Sequence, residues 1–324
     1  MLPVPGTTGI LLTGGTGNRG SKVPDFLYPA SSSCTPPAFP DQRLEHVTFT
    51  TPSGLVASCG GKAKPPTGPG REESLRSCLV LEAGKWQADP RVPDLPAGRW
   101  GASVAVVPAG VVVMGGQENS DRRNPTKFTS FVLRKNGSSW EEGPALEGFG
   151  AQYSCSVALG DSVFLTGGTG GTAHQVRELD TSTWVWQAEE KWPQMGVHGR
   201  ADGGAGTSFH GCAVLNSQLI VAGGQDPNGW PLRTTATLDL GTRGASWKKG
   251  GRLKVAKYFH AMVTMGPVGQ EKLYALGGSN DGMFDNVEVW DEESRTWREE
   301  QERLPKGKGY MGAVAVTEEA VCQK

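Results

Sequence analysis

The sequence predicts an all-β chain, a six-bladed β-propeller of four-stranded antiparallel blades, and three recurring features carry that prediction. First, a short apolar run ending in Gly-Gly occurs six times, its first glycine at 14, 60, 115, 167, 223 and 277. The spacings are 46, 55, 52, 56 and 54 residues, the size of one four-stranded blade. Second, Trp86, Trp140, Trp186, Trp247 and Trp297 follow the second glycine by 25, 24, 18, 23 and 19 residues. Third, an aromatic residue, small residues and a valine stand ahead of the run, as in Trp100-Gly101-Ala102-Ser103-Val104, Tyr153-Ser154-Cys155-Ser156-Val157 and Phe259-His260-Ala261-Met262-Val263.

Each unit is read as four strands, A to D. Strand A carries the aromatic-small-valine segment. Strand B is the apolar run, continuous because a strand buried on both faces needs no polar alternation. Strand C is a short run such as Asn286-Val287-Glu288-Val289-Trp290, and strand D holds the late tryptophan, a large apolar face for packing between blades. Gly-Gly lets the backbone turn sharply and approach a neighbour closely. Gly203-Gly204 and Gly250-Gly251 follow polar residues and break the period.

The chain starts inside a blade, with a strand B and no strand A before it. Tyr310-Met311-Gly312-Ala313-Val314 repeats strand A, and no Gly-Gly run follows it. The missing pieces are complementary. The strand over 310–317 is therefore expected to pair beside residues 9–15 and close the ring, removing the edges an open array exposes. One domain over 1–324 follows. Blade 1 is irregular: Cys34 stands where the strand D tryptophan belongs, 19 residues after Gly15.

Composition excludes several classes. Forty-seven glycines and 22 prolines mean many tight turns, and ten tryptophans argue against disorder. A net charge of −1 gives no basic surplus for nucleic acid. No run of 18 apolar residues predicts a membrane helix, and the first residues lack the charged and apolar regions of a signal peptide. The expectation is a cytoplasmic monomer, or an extracellular one if a signal once preceded it. The six cysteines are first expected as buried free thiols. Cys59 and Cys78, on neighbouring strands of blade 2, are within disulfide reach if the compartment is oxidising. Asn136-Gly137-Ser138 is a glycosylation sequon on an expected C–D turn.

Two motifs are decoys. Gly15-Thr16-Gly17-Asn18-Arg19-Gly20 fits a dinucleotide fingerprint, but turn chemistry follows it where a helix is required. His46, His210 and His260 stand at the start of strand A in three blades, which holds them too far apart for one metal ion. No cofactor and no metal site is expected. No nucleophile elbow, zincin motif or P-loop is present.

Taken together, the three features resemble the kelch repeat and cover residues 10 to 317. That resemblance implies a binding module for a protein or peptide, acting as a scaffold through loops on one face of the ring. The loops leading into strand A would contribute Arg43, His46, Arg99, Trp100, Tyr153, His210, Tyr258, Phe259 and Tyr310. The B–C loops would contribute Arg122, Arg123, Asp226, Asn228, Trp230, Asp281 and Met283. Aromatics interleaved with arginines make a hot-spot set. The segment 187–207 is the longest D-to-A connection and is expected to arch over the channel mouth. The alternative is a carbohydrate- or small-molecule-directed enzyme on the same ring. Galactose-oxidase-like copper enzymes resemble the chain in blade plan, but their tyrosine-cysteine-histidine copper site has no counterpart pattern here.

Overall fold

A computed structural model describes residues 8–18, 25–30, 35–64, 72–118, 129–146, 152–169, 174–188, 191–195 and 207–322. It is a six-bladed β-propeller with almost no helix. Blades 2 to 6 each contain four antiparallel strands in the order A-B-C-D. Strand A is Val47–Thr50, Trp100–Val107, Cys155–Leu159, Gly211–Leu215 and Ala261–Met265 in turn, and strand B is Val56–Cys59, Gly110–Gln117, Ser162–Thr166, Gln218–Ala222 and Lys272–Leu276. Strand D contains the expected tryptophan in blades 2, 3, 4 and 6. In blade 5, Trp247 sits just before strand D, Lys248–Gly250.

Blade 1 is made from both ends of the chain. Its strand B, Gly9–Thr13, lies between Phe26–Tyr28 and the C-terminal strand Gly312–Val316. Gly9 pairs with Val316 and Thr13 with Gly312, and a bridge from Thr16 to Gly309 extends the ladder. The position of Cys34 in blade 1 lies outside the described residues.

The core is divided into six clusters, one between each pair of neighbouring blades. The period-2 geometry of a strand explains how one apolar run serves two of them. In blade 3, Val111 and Val113 pack toward blade 2, while Val112 and Met114 pack toward blade 4. Leu219 and Val221 of blade 5 face blade 4, and Ile220 and Ala222 face blade 6. The tryptophans tie the same interfaces. Trp140 Nε1 donates to the Pro93 carbonyl at 2.7 Å, Trp247 Nε1 to that of Pro193 at 3.1 Å, and Trp297 Nε1 to Thr235 Oγ1 at 2.8 Å.

The cysteines depart from the first expectation: among the described residues none is a free thiol. Cys59 and Cys78, directly opposite each other on strands B and C of blade 2, are bonded. Cys155 is bonded to Cys212, joining strand A of blade 4 to strand A of blade 5, and Cys322 is disulfide-bonded too. The sequence reading missed the bond between blades because its partners stand 57 residues apart and meet only when the ring forms.

Candidate functional site

The glycine pairs and the segment before each strand A form one repeated junction. At Gly60 and Gly61, φ is +68° and +89°. The Gly61 N–H donates to the Arg99 carbonyl of the next blade, and a Cβ on Gly60 would lie 2.6 Å from that oxygen. A side chain is therefore excluded twice, by conformation and by space. Arg43, Thr207, Lys257 and Lys308 accept the same bond from Gly15, Gly168, Gly224 and Gly278.

Four of these five residues are cations, each at most 1% exposed. Each side chain is held in the blade whose strand A it precedes. The Arg43 guanidinium donates to Gly60 O at 3.1 Å and Ser77 O at 2.9 Å and pairs with Asp41 at 2.6 Å. Arg99 bonds Gly115 O at 3.3 Å, Glu118 at 3.3 Å and the Thr129 hydroxyl. Lys257 pairs with Glu288 at 3.0 Å, with both side chains fully buried. Lys308 meets Asp25 at 3.7 Å and Leu12 O at 3.5 Å. Burial pushes the Lys257 ammonium down, against the pull of Glu288, and lowers Lys308 to about 8. Arg43 and Arg99 were expected on an open binding loop; their guanidiniums are instead clasps between blades, already occupied by protein acceptors.

Two positions further along, each blade places one residue in a second ring: Glu45, Gly101, Tyr153, Phe209, Phe259 and Tyr310. All six are left-handed, with φ between 53° and 65°. Their backbones bond one another in a closed circle. Glu45 N donates to Tyr310 O, Tyr310 N to Phe259 O, Phe259 N to Phe209 O, Phe209 N to Tyr153 O, Tyr153 N to Gly101 O, and Gly101 N to Glu45 O, at 2.9–3.3 Å. Left-handed backbone costs a non-glycine residue roughly 1–2 kcal/mol, so five of the six positions hold strain that the circle and the side chains must offset. The rings do part of that. Phe259 stacks on Tyr310 at 3.8 Å, Phe209 lies 4.1 Å from Tyr153 and 4.5 Å from Phe259. Tyr153 OH donates to Glu45 Oε2 at 2.9 Å, and Lys62 Nζ sits 3.0 Å from Glu45 and 4.6 Å from the Trp100 ring centre. Burial raises the Glu45 carboxyl, and burial beside Glu45 raises the Tyr153 phenol.

Below this ring the channel widens into a cavity of about 440 Å³ walled by the strands A. His46, His210 and His260 border it, each packed where the Cβ of a first glycine would stand. His46 Nε2 lies 2.9 Å from Thr13 Oγ1, and His210 Nε2 lies 2.9 Å from Thr166 Oγ1. The equivalent residue ahead of His260 is Ala222, which has no hydroxyl, and both His260 nitrogens lack a partner. Burial holds His46 and His260 well below the usual imidazole range; nearby Arg43 and Lys308 add to this for His46, and Lys257 and His210 for His260.

The structure thus gathers Tyr153, Phe259 and Tyr310 of the expected residues into one surface, with Trp100 and Tyr258 half-buried beside it. Phe209 and Glu45 were missed. Their signal was positional: each stands immediately before a histidine already in register, as Phe259 stands before His260. Asp226 caps its own loop, accepting from Asn228 N and Trp230 N at 2.9 Å, and leaves Trp230 70% exposed. Asp281 is exposed. Arg122 and Arg123 lie outside the described residues. Of the 187–207 segment, Trp192 and Met195 are buried in the cluster between blades 4 and 5, and residues 189–190 and 196–206 lie outside the described ones. Among the described residues no group of three or more His, Cys, Asp or Glu is placed to hold a metal, and no helix is long and apolar enough to cross a membrane.

No family model and no curated protein matches the chain.

Proposed function

We propose that the chain is a kelch-type propeller that binds a protein or peptide on the face bearing the aromatic ring. The observation that carries this reading is the pairing of a rigid floor with an exposed anchor. Six residues fixed by their own hydrogen-bonded circle lie on the face where strands A begin. The B–C loop of blade 5 opens on that same face, since strands A and B are antiparallel, and holds Trp230 at 70% exposure in a turn locked by Asp226. Rigid aromatics lose little entropy when covered, which is why they dominate hot spots.

The test uses two variants against a partner identified by cross-linking. Trp230→Ala is expected to weaken binding by about 2 kcal/mol or more and to leave the melting temperature unchanged, because an exposed residue contributes little to folding. Arg99→Ala is expected to do the reverse. Unchanged affinity in Trp230→Ala would remove this face as the site.

The second reading, a small-molecule-directed enzyme, is favoured by the unpaired His260 beside the channel cavity. It requires a ligand that protects the histidine ring, read as a chemical-shift change of His260.

A further inference from the structure

Two features stand apart from the proposed binding face: the pairing of the cysteines and a three-residue motif on the rim of blade 3. We propose that the chain matures in an oxidising, secretory-type compartment and that Asn136 there accepts an N-linked oligosaccharide.

The first observation is redox. Cys59, Cys78, Cys155, Cys212 and Cys322 are all disulfide-bonded, and no described cysteine is free. Cytosolic reductants keep thiols reduced, so persistent pairing of this extent belongs to an oxidising compartment. A chance approach of two cysteines is an inadequate account, since the bonds link different parts of the fold. One crosses strands B and C within blade 2. Another crosses two blades on the channel wall.

The second observation is independent of the first. Asn136-Gly137-Ser138 is the single Asn-x-Ser/Thr sequence in the chain in which x is not proline; Asn124-Pro125-Thr126 is excluded by its proline. It falls in the turn between Ser130–Arg134 and Trp140–Glu142, strands C and D of blade 3. Asn136 and Ser138 are both exposed. The turn is anchored on either side of the asparagine, by Lys135 N to Ala109 O and Gly137 N to Arg134 O, both 2.9 Å. The Asn136 carboxamide has no hydrogen-bond partner among the described residues, so nothing in the fold must break for it to react. Gly137 adds no side chain between the acceptor amide and the serine hydroxyl.

The chemistry is a transfer from a lipid-linked oligosaccharide diphosphate. The Asn136 Nδ2 attacks the anomeric carbon; the Nδ2–carbon bond forms as the carbon–oxygen bond to the diphosphate breaks. The lipid diphosphate leaves with the electron pair, and the transferase takes the amide proton. Strands C and D run antiparallel, and C–D turns therefore lie on the face opposite the aromatic ring. A glycan there leaves the ring uncovered, and it stands or falls separately from any binding role of that face.

The experiment passes the full chain through the endoplasmic reticulum of cultured cells behind a signal peptide. Intact mass is read before and after peptide-N-glycosidase, and thiols are counted by alkylation under denaturing, non-reducing conditions. The expected result is one oligosaccharide-sized shift, absent in N136Q and in S138A, retained in S138T, with no free thiols. Deamidation at Asn136-Gly137 changes the mass by far less than a sugar and cannot mimic the result. Intact disulfides in N136Q show that a lost glycan does not reflect misfolding. A wild-type chain that emerges without a glycan, or a glycan that persists in N136Q, overturns the site. Free thiols at these cysteines in protein isolated from its natural source overturn the compartment.

Discussion

Among the described residues, the junctions between blades come in two kinds. At 1/2, 2/3, 5/6 and 6/1 a buried cation, Arg43, Arg99, Lys257 or Lys308, gives its carbonyl to the Gly-Gly turn behind it and its side chain to acceptors in the blade ahead. At 4/5 the same position is Thr207. Its carbonyl makes the same bond to Gly168, but its hydroxyl reaches no further than His210 Nδ1, at 3.3 Å. There the Cys155–Cys212 bond joins the two strands A instead. The backbone bond is therefore the common element, and the forward link is interchangeable. A propeller of this kind needs some tie across each interface, because neighbouring blades share no sheet. Ionic and covalent ties meet that need by different physics. The cation holds the folded state through a desolvated charge pair, and the disulfide acts largely by restricting the unfolded chain.

That contrast can be broken in a graded way. The largest effect belongs to the junction with the most strands at stake. A chain ending after Gly309 loses the strand Gly312–Val316 that pairs with Gly9–Thr13, exposing a full edge. It is expected to lose its cooperative melt and to aggregate, as judged by calorimetry and light scattering; a monomer with an unchanged melt would refute closure by this strand.

Next is Lys257→Met, which leaves Glu288 buried and uncompensated at a distance where it was paired, 3.0 Å. The expected cost is about 3–5 kcal/mol by denaturant titration. The double variant Lys257→Met with Glu288→Leu removes both charges and should recover most of that loss. A double variant no better than the single one would mean that the clasp acts through its geometry rather than its charge.

Replacing Cys155 and Cys212 by alanine together should cost about 2–4 kcal/mol. The sharper outcome is where the loss appears. Hydrogen exchange should quicken in the strands A of blades 4 and 5, while the 5/6 junction keeps its protection. Uniform loosening around the ring would erase the distinction between the two kinds of junction.

The smallest effect is set by pH. His46 and His260 are held below the ordinary imidazole value by burial and by the neighbouring cations, so the unfolded chain binds protons that the folded one refuses. Stability is then fully retained above the unfolded pKa of about 6.5 and falls as pH drops below it, by roughly 1.4 kcal/mol per histidine at pH 5.5. His260→Leu should flatten that slope between pH 7.5 and 5.5. An identical slope in the variant would show that His260 takes up protons as readily in the fold as in the unfolded chain.

Much of this was legible beforehand, for reasons particular residues make plain. The run from Val111 to Met114 was readable as a strand buried on both faces because no position in it tolerates water, and the structure divides those four residues between two clusters. Closure was readable because a strand B lacked its A at one end and a strand A lacked its B at the other. The surface was less legible. Arg43 and Arg99 look like binding residues in sequence, since a guanidinium in a loop is usually hydrated. Here the carbonyls of Gly60, Ser77 and Gly115 replace the water, and no local pattern announces that.

The sequence alone determined the number of blades, their strands, the place of the glycine pairs and the way the ring closes. Those follow from short-range periodicity and from glycines that only one kind of turn requires. Tertiary structure decided which side chains meet across the blades: the Cys155–Cys212 bond, the Lys257–Glu288 pair and the circle from Glu45 to Tyr310. Each links residues that lie dozens to hundreds of positions apart and come together only as the ring closes, so their contact is a property of the assembled ring and of no segment within it.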